Sequence, residues 1–228
     1  MIEKNFSVLL KTWKISLEGL VSIPDKASGL VIFAHGSGSN RNSYRNQIVA
    51  NKLNEWGLGT LLFDLLTDEE QQSDLRTQKI MCKIPGLILN KFNIKLLTER
   101  LLGVTEYAVN NPETKNLKIG YFGSSTGAAA ALIAASKNLD VKAIVTRSGR
   151  LDLVEKNFVH DIIVPSMFIV GGNDKEIIEI NKNMITKLTE ITHKRLEIIA
   201  RASHLFEQQE ELIEVGTLAS SWFRKFIT

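Results

Sequence analysis

Six short apolar runs, separated by stretches of helical period, constrain this chain more than any other feature. They lie at residues 30–34, 60–63, 119–122, 141–145, 167–170 and 196–199. Most are apolar at every position and do not alternate. A strand with one face in water alternates, whereas a strand covered on both faces does not, so these runs read as central strands of a parallel sheet. A parallel sheet needs helical crossovers, and the intervening sequence supplies them.

Ile48, Val49, Leu53 and Trp56 share one face of a helix that Gly57 can end. Leu97, Leu101, Val104 and Ala108 form a second such face. Ile177, Met184 and Leu188 form a third, with Ile180 or Asn181 between them. Leu212, Val215, Leu218 or Ala219, Trp222 and Phe226 form the last. Residues 6–10 and 15–23, ending at Pro24, read as an opening antiparallel pair. The expected fold is α/β: a doubly wound, mostly parallel sheet with helices on both faces. In such sheets the ligand crevice lies beyond the carboxyl ends of the strands, which limits the loops that can meet there. With 228 residues, no repeat and no Pro/Gly-rich linker, residues 1–228 are expected to form a single domain.

Gly123-Ser124-Ser125-Thr126-Gly127 fits the G-x-S-x-G pattern between the run ending at Phe122 and the alanine-rich stretch beginning at Ala128. A strand that turns this sharply into a helix leaves no room for Cβ atoms two residues either side of the serine. The serine then stands at a helix N-terminus, whose partial positive charge favours a developing anion. Ser125 is the candidate nucleophile; a helix N-cap is the structural alternative.

A serine needs a base to be nucleophilic near neutral pH. In α/β sheets that carry a G-x-S-x-G elbow the partners follow along the chain as serine, acid, histidine. His35 precedes the elbow, His160 precedes the best acid site, and His193 enters the run near Leu196 at the wrong end. His204 follows that run and has both the right order and the right end. Asp174 follows the run at 167–170 through Gly171-Gly172-Asn173 and is the candidate acid, with an N-cap as a compatible second role. Asp152 is the reserve. The loop His35-Gly36-Ser37-Gly38-Ser39-Asn40 follows another buried run and can aim backbone N–H groups at an oxyanion; those of Ser37 and Thr126 are assigned. A nucleotide-binding reading of this loop fails, because Arg41 stands where G-x-G-x-x-G needs glycine and no Gly-Lys pair follows.

These segments resemble the dienelactone-hydrolase-like branch of the α/β-hydrolases. The resemblance rests on His35-Gly36-Ser37-Gly38-Ser39 with Arg41, Asn42 and Ser43, on Phe63-Asp64-Leu65-Leu66-Thr67, and on the elbow. It rests also on Gly171-Gly172-Asn173-Asp174 and Ser203-His204-Leu205-Phe206-Glu207. It implies a triad at Ser125, Asp174 and His204. Dienelactone hydrolases proper carry cysteine at the nucleophile, here Ser125, so a small carboxylic ester or thioester is the implied substrate class. The implied chemistry passes through an acyl-enzyme and needs no cofactor and no metal.

Other classes find little support. The formal net charge is +3, too small to argue for nucleic acid. No window carries the roughly 18 consecutive apolar residues of a membrane span, and the N-terminus has no apolar leader segment. Cys82 is the only cysteine, so a cytoplasmic location is expected. Acyl transfer to an acceptor other than water, and a non-catalytic binding module on a hydrolase scaffold, remain alternatives. The opening strand pair is a possible sheet edge, so monomer and homodimer both stay open.

Two features bear on the pocket. The connection from Arg147 to Pro165 is too short for a lid domain, whereas residues 65–93 are long enough for either a small flap or an ordinary helix on the sheet edge. Arg41, Arg45, Arg147 and Arg150 lie on loops leaving the carboxyl ends of strands. Together with His35 and Gly36 they are candidate substrate contacts, and the arginines would suit an anionic group. The alternative is that Arg147 or Arg150 pairs with Asp152 or Asp64 to hold the loops.

Overall fold

A computed structural model describes residues 1–10, 14–78 and 88–228. Among these residues eight strands form one sheet: β1 (Ile2–Leu10), β2 (Ile15–Ile23), β3 (Gly29–Ala34), β4 (Gly59–Phe63), β5 (Lys118–Ser124), β6 (Val141–Arg147), β7 (Ser166–Gly171) and β8 (Lys194–Ile199). Their spatial order is β1-β2-β4-β3-β5-β6-β7-β8. β2 runs antiparallel to both its neighbours, and β3 to β8 are parallel. This is the doubly wound, mostly parallel arrangement that the alternation of runs and helical stretches implied, and it matches the α/β-hydrolase fold that the resemblance implied.

Burial explains the pattern of the runs. β3, β4 and β7 are buried at every residue, as continuous apolar strands in the middle of a two-sided sheet must be. β1 and β2 alternate over their inner halves and lie at one edge. β8, at the other edge, is buried only at Ile199.

Among the described residues six α-helices accompany the sheet: α1 (Tyr44–Glu55), α2 (Asp68–Gln78), α3 (Ile94–Asn110), α4 (Thr126–Lys137), α5 (Lys175–Lys187) and α6 (Gln209–Ile227). One core cluster joins Leu97, Leu101 and Val104 of α3, the alanines of α4 and Met184 of α5 to one face of the sheet. The other joins Val49 and Leu53 of α1 and Leu212, Val215 and Phe223 of α6 to the opposite face. α4 is buried along residues 126–135, and its run of alanines lets it lie close against the central strands. No helix among the described residues is long and apolar enough to cross a membrane.

One expectation needs correction. Trp56, placed on the buried face of α1, ends the helix as a 37% exposed residue. The Arg224 guanidinium lies over its ring, 5.5 Å from the centroid, and the buried polar position of this helix is Asn46. In the 65–93 connection, α2 is a polar helix whose one buried residue is Asp74, with Leu75 exposed. Asp74 accepts hydrogen bonds from the Asn90 and Lys91 backbone N–H groups at 2.8 and 2.9 Å, which ties α2 to the short 3₁₀ turn Asn90–Phe92. Of the apolar part of the expected flap, Met81, Cys82, Ile84, Pro85 and Leu87 lie outside the described residues, whereas Ile88 is exposed and Leu89 is buried. The connection after β6 forms only two short 3₁₀ turns, Leu151–Leu153 and Lys156–Asp161.

Candidate active site

Ser125 sits between β5 and α4 with φ 49° and ψ −117°. An L-residue enters this region only when its surroundings hold it there, at a cost of about 1–3 kcal/mol. Here β6 and the chain beyond it do the holding. The Ser125 N–H donates to the Arg147 carbonyl at 3.1 Å, and the Ser125 carbonyl accepts from the N–H groups of Ala128 and Arg150, each at 3.1 Å. The two flanking glycines are needed sterically. A Cβ on Gly127 would lie 2.1 Å from the Ala34 carbonyl oxygen, and one on Gly123 would lie 2.6 Å from Ala128 Cα. Gly36 packs against the nucleophile itself, since a Cβ there would meet Ser125 Cβ at 3.0 Å.

His204 and Asp174 arrive from the two loops that follow β8 and β7. His204 Nδ1 lies 2.5 Å from Asp174 Oδ2. The carboxylate can only accept, so Nδ1 donates and Nε2 is the nitrogen left for a proton in transit. Asp174 also caps α5, accepting from the Ile177 N–H at 3.4 Å. The loops fit closely because Gly171 has no side chain: a Cβ there would stand 2.4 Å from the Ser203 carbonyl oxygen and 2.5 Å from that of Ala202. Ser148, at φ 47°, donates its hydroxyl to the His204 carbonyl at 2.9 Å and so holds the histidine loop from the β6 side. This tether was not read from the sequence; an ordinary serine after a strand carries no signal for it.

Ser125 and His204 line one cavity of about 240 Å³, together with Gly36, Ser37, Arg45 and Arg147. No hydrogen bond joins the Ser125 hydroxyl to His204 among the described residues. A second cavity, about 220 Å³, is lined by Ser37 and Thr126, by Leu65, Leu66 and Leu97, and by Gln71 and Leu75 of α2. Ser37 and Thr126 are the residues whose N–H groups were assigned to an oxyanion. Among the described residues neither N–H has a hydrogen-bond partner.

The remaining candidates separate by their partners. His35 lines the second cavity, but both its ring nitrogens are occupied: Nδ1 donates to the Gly36 carbonyl at 3.0 Å, and Nε2 accepts from the Leu65 N–H at 3.0 Å. Burial lowers its pKa, so it is a neutral clamp between the β3 and β4 loops with no polar atom free for substrate. Arg41 grips Asp64 by both its backbone N–H, at 2.6 Å, and its guanidinium. Asp64 is therefore held by Arg41, not by Arg147 or Arg150. Arg150 makes a two-pronged contact to Asp152 at 2.7 and 2.8 Å, and this pairing also occupies the reserve acid. Arg45 and Arg147 have no carboxylate partner among the described residues, unlike Arg41 and Arg150.

The family model for dienelactone hydrolases matches residues 17–221. A dienelactone hydrolase from Anabaena variabilis ATCC 29413 is 44% identical, with 100% of this chain and 99% of that one aligned and a TM-score of 0.90. The esterase domain of a Rhodothermus marinus protein aligns over 100% of both chains with a TM-score of 0.74 at 17% identity, a likeness of fold. A Mycobacterium tuberculosis (strain ATCC 25618 / H37Rv) protein, provisionally named a phosphoribosyl transferase, is 40% identical over 210 residues. That match covers 92% of this chain and 44% of the relative, so the chain spans less than half the length of the curated relatives it matches.

Proposed function

The chain belongs to the dienelactone hydrolase family, and on that premise we propose that it cleaves a small carboxylic ester or thioester through an acyl-enzyme on Ser125. The observation that carries this reading is the 2.5 Å contact between His204 and Asp174, facing a cavity that the strained Ser125 shares.

The geometry supports the following steps. His204 Nε2 takes the Ser125 hydroxyl proton as the oxygen attacks the carbonyl carbon. The N–H groups of Ser37 and of Thr126, the first residue of α4, both unpartnered among the described residues, receive the oxyanion. Asp174 keeps the proton on Nδ1 and stabilises the imidazolium. The leaving alcohol or thiol then takes the proton from Nε2. Water attacks the acyl-enzyme with His204 again as base, releasing acid and free serine.

The transferase name of the mycobacterial proteins belongs to chains more than twice as long as the matched segment. Rates of hydrolysis of short-chain p-nitrophenyl esters and the matching thioesters test the proposal. Loss of about 10³-fold or more in kcat for Ser125→Ala and for His204→Gln is expected. A folded Ser125→Ala protein that hydrolyses at the wild-type rate would sink it.

A further inference from the structure

We propose that Arg45 and Arg147 form an anion subsite beside Ser125 that holds a phosphate group on the leaving half of the substrate. This rests on the hydrolase reading above and adds to it a substrate class.

Arg147 is the starting point. It is 6% exposed at the end of β6. Its Nη1 is sealed from solvent and has no hydrogen-bond partner among the described residues. Nη2 makes one long contact, 3.4 Å, to a neutral amide oxygen on Asn46. The guanidinium faces the Phe206 ring at 5.9 Å. A buried charge normally has an opposite charge beside it, because burial without one costs several kcal/mol. This one has a like charge instead. Burial first, and the nearby Arg45 second, lower the Arg147 pKa to about 9. Arg45, half-buried on α1, makes no ion pair among the described residues, in contrast to Arg41 and Arg150 close by.

Both arginines line the cavity that Ser125 and His204 share, and among the described residues no Asp or Glu lines it. Ser37 and Ser39 line the same space. The wall thus offers two positive charges, several donors and no acceptor charge of its own. A phosphate monoester carries about −1.5 to −2 near pH 7 and accepts from several donors at once. It neutralises the pair, whereas a single carboxylate leaves one charge uncompensated.

The two cavities also assign the halves of the substrate. The leaving group must meet His204, which protonates it, and His204 lines the arginine cavity. The other cavity, beyond Ser37 and Thr126, has an apolar wall of Leu65, Leu66, Leu75 and Leu97 and suits the acyl group. The substrate class is therefore an apolar acyl ester or thioester of a phosphorylated alcohol or thiol.

The first test is binding of inorganic phosphate to the folded Ser125→Ala protein by calorimetry, which is independent of catalysis. Saturable binding is expected, weakened roughly tenfold or more by Arg147→Gln and by Arg45→Gln and unchanged by Arg150→Gln. Should Arg147→Gln fail to fold, Arg45→Gln on the helix surface decides. The second test compares hydrolysis of butyryl-glycerol phosphate with that of neutral butyryl-glycerol. Wild type should favour the phosphorylated ester by about 10²-fold in kcat/KM, and Arg45→Gln should erase most of that preference. No saturable phosphate binding, binding indifferent to both substitutions, or tighter binding of acetate than of phosphate would each overturn the subsite. A protein that binds phosphate as expected but hydrolyses neither ester would overturn the hydrolase reading and leave the anion site standing.

Discussion

Gly171→Ala should cripple the enzyme without touching any group that reacts. Gly171 closes β7, and the acid loop leaves from it toward Asp174. The added Cβ would stand 2.4 Å from the Ser203 carbonyl oxygen, about 1 Å short of the 3.4 Å at which ordinary contact begins. Both neighbours are backbone, so neither can swing away as a side chain tip would. Ser203 directly precedes His204, and Gly171 stands three residues before Asp174. Relief of the clash must separate the two loops, and the 2.5 Å His204–Asp174 contact lies across the gap. A separation of about 1 Å takes that contact out of hydrogen-bonding range. Misplacement on this scale costs roughly 10²-fold in rate, about 2.7 kcal/mol of transition-state stabilisation. The expected outcome is a kcat lower by about 10²-fold with KM little changed, measured on p-nitrophenyl butyrate. Circular dichroism should show the wild-type secondary structure. Gly172→Ala is the control: its Cβ would meet Ile199 O at 3.2 Å, a contact that small shifts relieve, and kcat should stay within about threefold. A folded Gly171→Ala protein with wild-type kcat would refute the argument that loop spacing sets the histidine–aspartate geometry.

Three further outcomes follow from the packing. Gly127→Ala places a Cβ 2.1 Å from the Ala34 carbonyl oxygen and 2.5 Å from that of His35, so the elbow cannot form; urea unfolding should show a loss of about 3 kcal/mol or more, or no soluble protein. Burial lowers the His35 pKa from its ordinary 6.5, so the unfolded chain takes up a proton there before the folded one does. Stability should then be undiminished by this residue above about pH 6.5 and fall by up to about 1.4 kcal/mol per unit below it, until the folded-state pKa is reached. His35→Gln removes that share of the slope, and equal pH dependence in the two proteins would contradict the assignment. Tyr121→Phe removes a buried 2.6 Å hydrogen bond to Thr105, whose hydroxyl still donates to the Leu101 carbonyl at 2.8 Å; a loss of about 1 kcal/mol in thermal or urea unfolding is expected.

What the sequence made legible depended on whether the signal was local. The continuous runs at 30–34 and 167–170 marked buried parallel strands because two-sided burial removes alternation. The elbow was legible because Gly123 and Gly127 are forced by contacts within a few residues and with the neighbouring strand. The order of Ser125, Asp174 and His204 then followed from which end of its strand each loop leaves.

Pairing across loops was not legible. Whether Asp64 meets Arg41, Arg147 or Arg150 depends on which loops the sheet order brings together, and hydrophobic period carries no information on that. Trp56 fitted the apolar face of α1 by spacing, yet it stands at the helix end, where α6 offers Arg224 and open solvent. His35 carried no sequence mark of its role, since its partners are backbone groups, one of them 30 residues away. The isolation of Arg147 is the extreme case: the lack of an acid beside it is a property of the folded cavity alone.

The central claim is that Ser125 is an activated nucleophile. Intact-mass spectrometry after incubation with a small fluorophosphonate tests it most directly, because the reagent modifies only a serine that a base has activated. The account predicts one adduct on the wild-type chain, located at Ser125 by peptide mapping and absent from Ser125→Ala. A folded wild-type protein that takes no adduct, or an adduct that persists in Ser125→Ala, would contradict it.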